Sequence, residues 1–327
     1  MRKKMIYSIL AVFLIVAVLF FLFSKKKSSV KEEKLNVSLP AITGAVNVKA
    51  EYLFNLPKDL SLPTTAPLIS QEVSLDWSLD DIKKIASNFD FSKEPIVFND
   101  TILGKTYLYT EGPVSLTLYP SAKIVRFSEQ VQPSQKKGLT DEDYVEIAKS
   151  FVNKISLKNI YELSFINYLN TGYSSERYSF SDKESSNTVQ VNLSPVAENI
   201  KIITKSPDTS LATVTMDKAG NITKTEIRNL DKLIYSEQKY KLKDLEQIKN
   251  STAGFILMSL DNGYYPDLNQ IKDDITNVNI TSIELAYFYN YEEKTYIQAV
   301  FLIRGTAKMK NVQKEVNVSF YYPAFVQ

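Results

Sequence analysis

The chain has 327 residues, of which 44% are apolar and 23% charged, and its formal net charge is +2. It contains neither cysteine nor histidine, which excludes disulfides, thiol nucleophiles, Ser-His-Asp catalysis and the commonest zinc ligands. The nine glycines are too widely spaced for a dinucleotide-binding motif or a P-loop. Beyond the basic first 34 positions acidic residues outnumber basic ones, unlike a nucleic-acid-binding domain. We therefore expect no nucleotide, nucleic acid, metal or other cofactor to bind.

An apolar segment near the N-terminus predicts a membrane anchor. Residues 5–23 read MIYSILAVFLIVAVLFFLF, without a charge, and as a helix they would span about 28 Å, close to the hydrocarbon thickness of a bilayer. Three lysines, and no small-residue cleavage site, follow at residues 25–27, which favours an uncleaved anchor over a signal peptide. Residues 1–24 are therefore predicted to be a cytoplasmic stub and a transmembrane helix in the lipid bilayer.

The side of the membrane on which the rest of the chain lies is predicted from weaker signals. Basic residues flank the apolar segment on both sides, so the positive-inside rule is nearly balanced. We expect a single-pass protein of the plasma membrane, with a cytoplasmic N-terminus and residues 25–327 extracytoplasmic. Residues 25–72 begin with a charged stretch and carry four prolines, so they are predicted to be a tether or linker, with one strand-like run at residues 46–54.

A helix-start pattern then occurs twice, as SLDDIKKIASNF from Ser78 and as TDEDYVEIAKSF from Thr140. In each copy the first residue is an expected N-cap, and the acid three positions later, Asp81 or Asp143, can accept a hydrogen bond from its amide. Apolar residues follow at helical spacing. They are Leu79, Ile82, Ala86 and Phe89 in the first copy, and Tyr144, Ile147, Ala148, Phe151, Val152 and Ile155 in the second.

Strand-like runs follow both predicted helices. PIVF, KTYLYTE, VSLTLYP and KIVRFSE come after the first, and RYSFS, TVQVNLS, NIKIITK and ATVTMDKAGNITKTEIRN after the second. In the last run DKAGN predicts a hairpin turn, with Gly220 free to adopt a positive φ; it lacks the ligand spacing of a calcium loop. Residues 73–137 and 138–232 are therefore predicted to be two modules, each of one helix packed on an antiparallel sheet.

A third, degenerate copy of the pattern begins near Lys241. Asp244, Leu245 and Ile248 match it, whereas Lys249 and Thr252 replace the Ala and Phe. Three strand-like runs with short polar links follow and predict a three-stranded meander, so residues 233–327 are interpreted as a third module. The predicted fold class is α+β: a transmembrane helix followed by repeated helix-plus-sheet modules.

The residues of the second and third modules carry a family resemblance. The hairpin ATVTMDKAGNITKTEI after a helix resembles PepSY-type domains, and the C-terminal third, from YKLKDLEQIKN to SFYYPAF, is similar to the last module of YycH/YycI-like proteins. Those are single-pass, membrane-anchored extracytoplasmic regulators of bacterial envelope signalling. The resemblance covers residues 138–327 and the anchor, and carries over no catalytic residue. It implies contact with another membrane protein such as a sensor kinase, partly through the transmembrane helix.

Tyrosine-rich runs in the third module are the candidate partner surface, because tyrosine is favoured at protein interfaces. The two runs are AYFYNY and FYYPA. The candidate residues are Tyr287, Tyr289, Tyr291, Tyr321 and Tyr322.

Adjacent acids are the one catalytic alternative that the composition leaves open. They occur as Asp80-Asp81, Asp141-Glu142-Asp143, Asp273-Asp274 and Glu292-Glu293, and two carboxylates suffice for glycoside hydrolysis. The first two groups lie at predicted helix starts, where capping explains them, so no catalytic residue is assigned. We expect a non-enzymatic binding or regulatory protein of the bacterial cell envelope. The alternatives are a carboxylate-dependent glycan hydrolase and, from the PepSY resemblance, a structural or protease-restraining module.

Overall fold

The computed structural model describes residues 42, 46–72, 76–130, 138–156, 159–171, 178–205, 207, 209–261, 267–290, 296–310 and 312–326. Within these residues the fold is α+β and dominated by strands. This confirms the predicted α+β class.

The strands within the described residues number eighteen. They are β1 (Val46–Asn47), β2 (Glu51–Phe54), β3 (Thr65–Glu72), β4 (Ile96–Asp100), β5 (Gly104–Glu111), β6 (Val114–Tyr119), β7 (Ile124–Glu129), β8 (Tyr161–Thr171), β9 (Tyr178–Phe180), β10 (Thr188–Ala197), β11 (Ile200–Ile203), β12 (Ala212–Asp217), β13 (Ile222–Arg228), β14 (Lys232–Lys241), β15 (Ile256–Asp261), β16 (Ile275–Phe288), β17 (Tyr296–Met309) and β18 (Val312–Pro323).

The helices are short except for the second. They are α1 (Leu79–Ser87), α2 (Asp141–Ile155), α3 (Leu245–Lys249) and α4 (Leu268–Ile271), and 3-10 turns occur at Thr252–Gly254 and Lys272–Asp274.

Sheet 1 consists of nine antiparallel strands in the order β4-β5-β6-β7-β13-β12-β10-β8-β9. The first four are a meander that follows α1, and the other five follow α2. The two groups join where β7 pairs with β13. There Arg126 lies opposite Glu226, and its guanidinium Nε donates to the carboxylate at 2.8 Å. Each group of strands thus covers the outer edge of its last strand, β7 or β13, by pairing it with the other group.

Capping boxes start α1 and α2, which confirms the predicted helix starts. The Ser78 hydroxyl accepts from the Asp81 amide at 3.1 Å, and the Asp81 carboxylate accepts from the Ser78 amide at 3.1 Å. Thr140 and Asp143 make the same reciprocal pair at 3.2 and 3.0 Å. These bonds satisfy amides that the helix itself leaves unpaired.

The apolar faces of α1 and α2 pack on one face of sheet 1 and form its hydrophobic core. The buried helix residues are Ile82, Ile85, Ala86, Tyr144, Ala148, Val152 and Ile155. Leu79 was predicted to share this face but is 59% exposed, because the side chain of the first helical residue points back towards the helix start.

The phenylalanines that close the two copies of the repeated pattern contact each other. The ring centroids of Phe89 and Phe151 are 5.7 Å apart at 66°, and both rings pack against Phe127 of β7, at 5.3 and 4.9 Å. The Asn88 side-chain amide donates to the Lys154 carbonyl at 2.5 Å. The ends of α1 and α2 therefore meet over the same part of the sheet.

The DKAGN turn joins β12 and β13, as predicted, and packs beneath α2. Gly220 has φ +85°, and a Cβ there would lie 2.7 Å from Ile147 Cδ1. The Tyr144 hydroxyl accepts from the Leu139 amide at 3.0 Å and donates to the Lys218 carbonyl at 2.9 Å. These contacts tie the start of α2 to the hairpin.

Sheet 2 contains the predicted C-terminal meander, β16-β17-β18, in its centre. The order is β1-β15-β18-β17-β16, and β16 also pairs in parallel with β2 near its start and with β11 at its end. β3 pairs with β14 as an antiparallel ribbon and with the first two residues of β17. The largest hydrophobic core contains buried residues of β3, α3 and one face of sheet 2, among them Ile69, Ile248 and Phe301.

The prediction of a tether or linker is wrong for residues 46–72, which belong to the folded part of the chain. This segment contains β1, β2 and β3, and its residues Val46, Val48, Ala66 and Ile69 are buried in the largest core. Pro57 and Pro63 lie in the connection between β2 and β3, and Pro67 lies in β3 where the pairing with β14 is irregular. Proline is tolerated at such positions, so its frequency did not indicate a linker here.

The predicted module boundaries also need correction. Residues 73–137 and 138–232 share sheet 1 and one hydrophobic core. β11, predicted in the second module, pairs with β10 through a tight turn at Glu198 and Asn199 but then joins sheet 2 beside β16. Unpaired strand edges are costly to expose, so the edges of neighbouring modules pair with each other.

The predicted transmembrane helix, residues 5–23, lies outside the described residues. Among the residues that are described, none of the helices has the length and apolar character needed to cross a bilayer.

Candidate functional site

The tyrosines predicted to form an exposed partner surface are buried, and this prediction is wrong for four of the five. Tyr287 and Tyr321 are 0% exposed, and Tyr289 and Tyr322 are also buried; Tyr291 lies outside the described residues. The end of β16 exposes neither alternating set of side chains to solvent, because hydrophobic clusters cover both of its faces there.

The buried tyrosine hydroxyls are held by internal acceptors. Tyr287 donates to the Pro67 carbonyl at 3.1 Å, and Tyr321 donates to the Thr204 carbonyl at 2.6 Å. Burial raises the pKa of the Tyr287 hydroxyl. Tyr322 packs against Phe255 with the Lys243 ammonium 4.1 Å from its ring centroid. These side chains hold sheet 2 together and are not available to a partner.

Three of the adjacent acids, Asp81, Asp141 and Asp143, accept hydrogen bonds within the fold. Asp81 and Asp143 cap helices, and Asp273-Asp274 lie in a 3-10 turn. Asp141 accepts from Lys183 and from the Tyr168 hydroxyl, which lowers the pKa of its carboxyl. Glu292 and Glu293 lie outside the described residues.

The Asp217 carboxylate is likewise committed to the hairpin turn. It accepts from the amides of Ala219 and Asn221 and from the Asn221 side chain, each at 2.9 Å. These hydrogen bonds form the predicted hairpin turn. In the part of the chain that the structure describes, no three acidic side chains come together as a metal site.

An apolar edge of sheet 1, formed by β4 and the turn after it, is the candidate functional site; we call it the β4 edge. Its residues Ile96, Val97 and Phe98 are 60%, 49% and 43% exposed, and Ile102 at the turn is 89% exposed. Among the described strands β4 pairs only with β5, so its outer backbone groups have no partner strand within the part of the chain that the structure describes. An apolar strand edge that lacks a neighbouring strand is a template for strand addition.

The two faces of β4 offer different apolar contacts. Val97 lies opposite Tyr107, whose ring belongs to the helix-covered core, whereas Phe98 lies opposite Thr106 on the other face. Side chains paired across strands share a face of the sheet. An added strand would therefore contact Val97 on the helix-covered side, and Ile96 and Phe98 on the open side.

The chain leading into β4 is fixed by a carboxylate at the end of β5. Both oxygens of Glu111 accept from Ser92, one from its amide at 3.0 Å and one from its hydroxyl at 2.9 Å. These hydrogen bonds hold the pKa of the Glu111 carboxyl below its usual value. The two hydrogen bonds from Ser92 to Glu111 thus hold the chain in place shortly before β4 begins.

The far end of β4 is fixed in the same manner. Asp100, its last residue, accepts from the amides of Ile102 and Leu103, both at 2.8 Å, and these bonds lower the pKa of its carboxyl. The turn then closes at Gly104, which has φ +76°. With both ends anchored, the edge strand is preorganised, which reduces the entropy that a partner must remove on binding.

Sequence reasoning located β4 as PIVF but missed its exposure. Its three apolar residues are consecutive, and such a run is typical of a strand buried on both faces. The available signal was Ile102, an apolar residue in the turn sequence NDTILG next to that run.

Neither the family models nor the curated proteins include a match to this chain. Among solved structures, the chain is similar to an uncharacterized protein from Eubacterium rectale, with a TM-score of 0.46 and 12% sequence identity over 80% of this chain and 84% of that chain.

Proposed function

We propose that this chain is a non-enzymatic, membrane-tethered extracytoplasmic protein that binds and regulates a protein partner at the bacterial cell envelope, such as a sensor kinase. Residues 5–23 support the tether because they are uncharged and long enough to span a bilayer. The resemblance of the hairpin and C-terminal runs to PepSY-type and YycH/YycI-like proteins supports the regulatory role.

The proposal includes a duplicated helix-plus-sheet module in residues 76–228. One similarity and two contacts between the halves support it: the capping boxes of α1 and α2 are alike, Phe89 contacts Phe151, and β7 and β13, the last strands of the two groups, pair antiparallel.

The observation that carries the binding function is the β4 edge. Four apolar side chains are exposed together, three on β4 and one in the turn after it, and no described strand lies on the outer side of β4, whereas proteins that need no partner usually block such edges with charge or proline. A partner that adds an extended segment antiparallel or parallel to β4 would pair the free backbone groups and cover Ile96, Val97 and Phe98.

Affinity purification of the full-length protein from solubilised membranes tests this function. The wild-type chain should enrich a sensor kinase, quantified by mass spectrometry, and Val97→Lys should reduce that enrichment by about tenfold or more, since it places a charge in the centre of the covered patch. Phe180→Lys is the matched control, because Phe180 is 77% exposed on β9 at the opposite edge of sheet 1. Recovery of the wild-type protein alone, or equal loss in both variants, would contradict the proposal.

A further inference from the structure

A cleft lies where sheet 1 meets sheet 2. The β10–β11 hairpin crosses from one sheet to the other, with Val196 paired to Lys201 and Ile203 paired in parallel to Phe288 of β16. The cleft beside this crossing has a volume of about 320 Å³ and is lined by residues of β8, β10, β11, β16 and β17. Small-molecule sites occur preferentially at such junctions.

The floor of the cleft is apolar. Ile203, Ala286 and Leu302 line it and belong to a small hydrophobic cluster on the face of sheet 2 that is opposite the largest core. The chain after β11 is held against this cluster, because the Tyr321 hydroxyl donates to the Thr204 carbonyl at 2.6 Å. The floor is thus built from strands with fixed positions.

Charged side chains converge above this floor. Side chains two positions apart on a strand share a face, so Lys201 lies on the face of Ile203, Glu284 on that of Ala286, and Arg304 on that of Leu302. On the side of sheet 1, the Ser164 and Ser194 hydroxyls lie 2.6 Å apart and also line the cleft.

The cations of the cleft exceed its anions. Arg304 Nη1 donates to the Glu284 carboxylate, which leaves the other donors of the guanidinium fork for a ligand. Lys201 is half-buried and forms neither an ion pair nor a side-chain hydrogen bond with any residue that the structure describes. Two cations against one carboxylate leave the site with one positive charge to be neutralised.

We propose that this cleft binds a small monocarboxylate with an apolar body. Its carboxylate accepts from the Lys201 ammonium and from the free donors of Arg304, and its apolar part lies on Ile203, Ala286 and Leu302. The site is separate from the β4 edge, so the inference goes beyond the proposed partner binding and does not depend on it.

Ligand-observed saturation-transfer NMR with the full-length protein in nanodiscs tests the cleft, with phenylacetate as the probe. Phenylacetate has the carboxylate and a compact apolar body, and at this size a dissociation constant on the order of 1 mM is expected. Phenylacetamide has the same shape without the charge and should transfer at least about tenfold less saturation from protein, because the charge-assisted hydrogen bonds are lost.

Two lysine variants identify the binding site. Lys201→Ala should weaken phenylacetate binding about tenfold, and Lys201→Arg should retain it. Lys205→Ala is the matched control, since Lys205 is an exposed lysine four residues further along the same segment, and it should bind as the wild type does. The proposal is overturned if phenylacetate does not bind, if phenylacetamide binds equally well, or if Lys201→Ala leaves binding unchanged.

Discussion

The two sheets of this molecule bury their strands in different ways. In sheet 1 one face is covered by α1 and α2, and the other carries polar side chains such as Arg126, Lys224 and Glu226. In sheet 2 the central strand β17 is buried on both faces along most of its length. Where a helix layer covers only one face, the apolar side chains of the edge strand β4 stay exposed to a partner. Where both faces are covered, even tyrosine side chains such as Tyr287 and Tyr321 are buried in the core. Function is therefore expected at the edge of sheet 1 and not in the aromatic runs of sheet 2.

The largest expected effect tests the one-sided core of sheet 1. Ala148→Asp places a charge at a fully buried position on the sheet-facing side of α2, and an unpaired buried charge should cost about 4 kcal/mol in free energy of unfolding. Leu79→Asp is the control at an exposed position of α1 and should cost less than about 0.5 kcal/mol. Equal melting temperatures for Ala148→Asp and the wild type would show that this helix register is wrong.

Much of sheet 1 and its helices was predictable because short, local sequence patterns indicate where the helices start and where the hairpin turns. Ser78 with Asp81 and Thr140 with Asp143 predicted both helix starts, and Asp217 to Asn221 predicted the hairpin turn. Long-range pairing was not predictable: no local pattern indicates that Arg126 lies opposite Glu226.

The aromatic runs of sheet 2 were misinterpreted for a related reason. The alternation of Tyr287, Phe288 and Tyr289 indicates a strand but not what covers each face. That depends on β3, which brings Pro67 against Tyr287, and on β11, which pairs beside Phe288. Both strands lie far from β16 along the chain, and one of them lies in a stretch whose prolines had predicted a linker.

A glycine in the centre of sheet 2 provides the next test. A Cβ at Gly305 would lie 2.0 Å from the backbone oxygen of Asn279 on β16, so Gly305→Ala should push β16 and β17 apart and cost about 3 kcal/mol in free energy of unfolding. Gly254→Ala is a milder comparison, because its Cβ would meet only the Tyr322 ring edge, at 2.9 Å. If chemical denaturation gives equal midpoints for Gly305→Ala and the wild type, the β16–β17 pairing is wrong.

A smaller effect is expected from the buried tyrosine of β16. Tyr287→Phe removes the hydroxyl that donates to the Pro67 carbonyl and should reduce the free energy of unfolding by about 1 kcal/mol. Tyr235→Phe, at a residue that is 40% exposed, should leave it unchanged. An equal stability for the two variants would contradict the burial of Tyr287 against β3.

The smallest effect concerns the anchors of the β4 edge at low pH. Asp100 and Glu111 have pKa values lowered by hydrogen bonds in the folded chain, so their stabilising contribution is present above their unfolded pKa values, about 4. It is lost as the pH falls through the lower folded values. Amide exchange of residues 96–100 should therefore rise, relative to residues 300–304 of β17, as the pH is lowered below about 4. A constant ratio would contradict the anchoring role.

Asp100→Asn separates the two anchors. An amide side chain does not titrate, so amide exchange at the far end of β4 should no longer rise at low pH in this variant. The rise at the near end, which depends on Glu111, should remain.

Site-specific photo-cross-linking in living cells tests most directly whether the β4 edge binds the partner. A photoreactive phenylalanine analogue is placed at position 97 in one full-length protein and at position 180 in another. Position 97 should form an adduct with one envelope protein of defined mass, identified by mass spectrometry, and position 180 should not. The absence of an adduct at position 97, or the same adduct from both positions, would contradict strand addition at this edge.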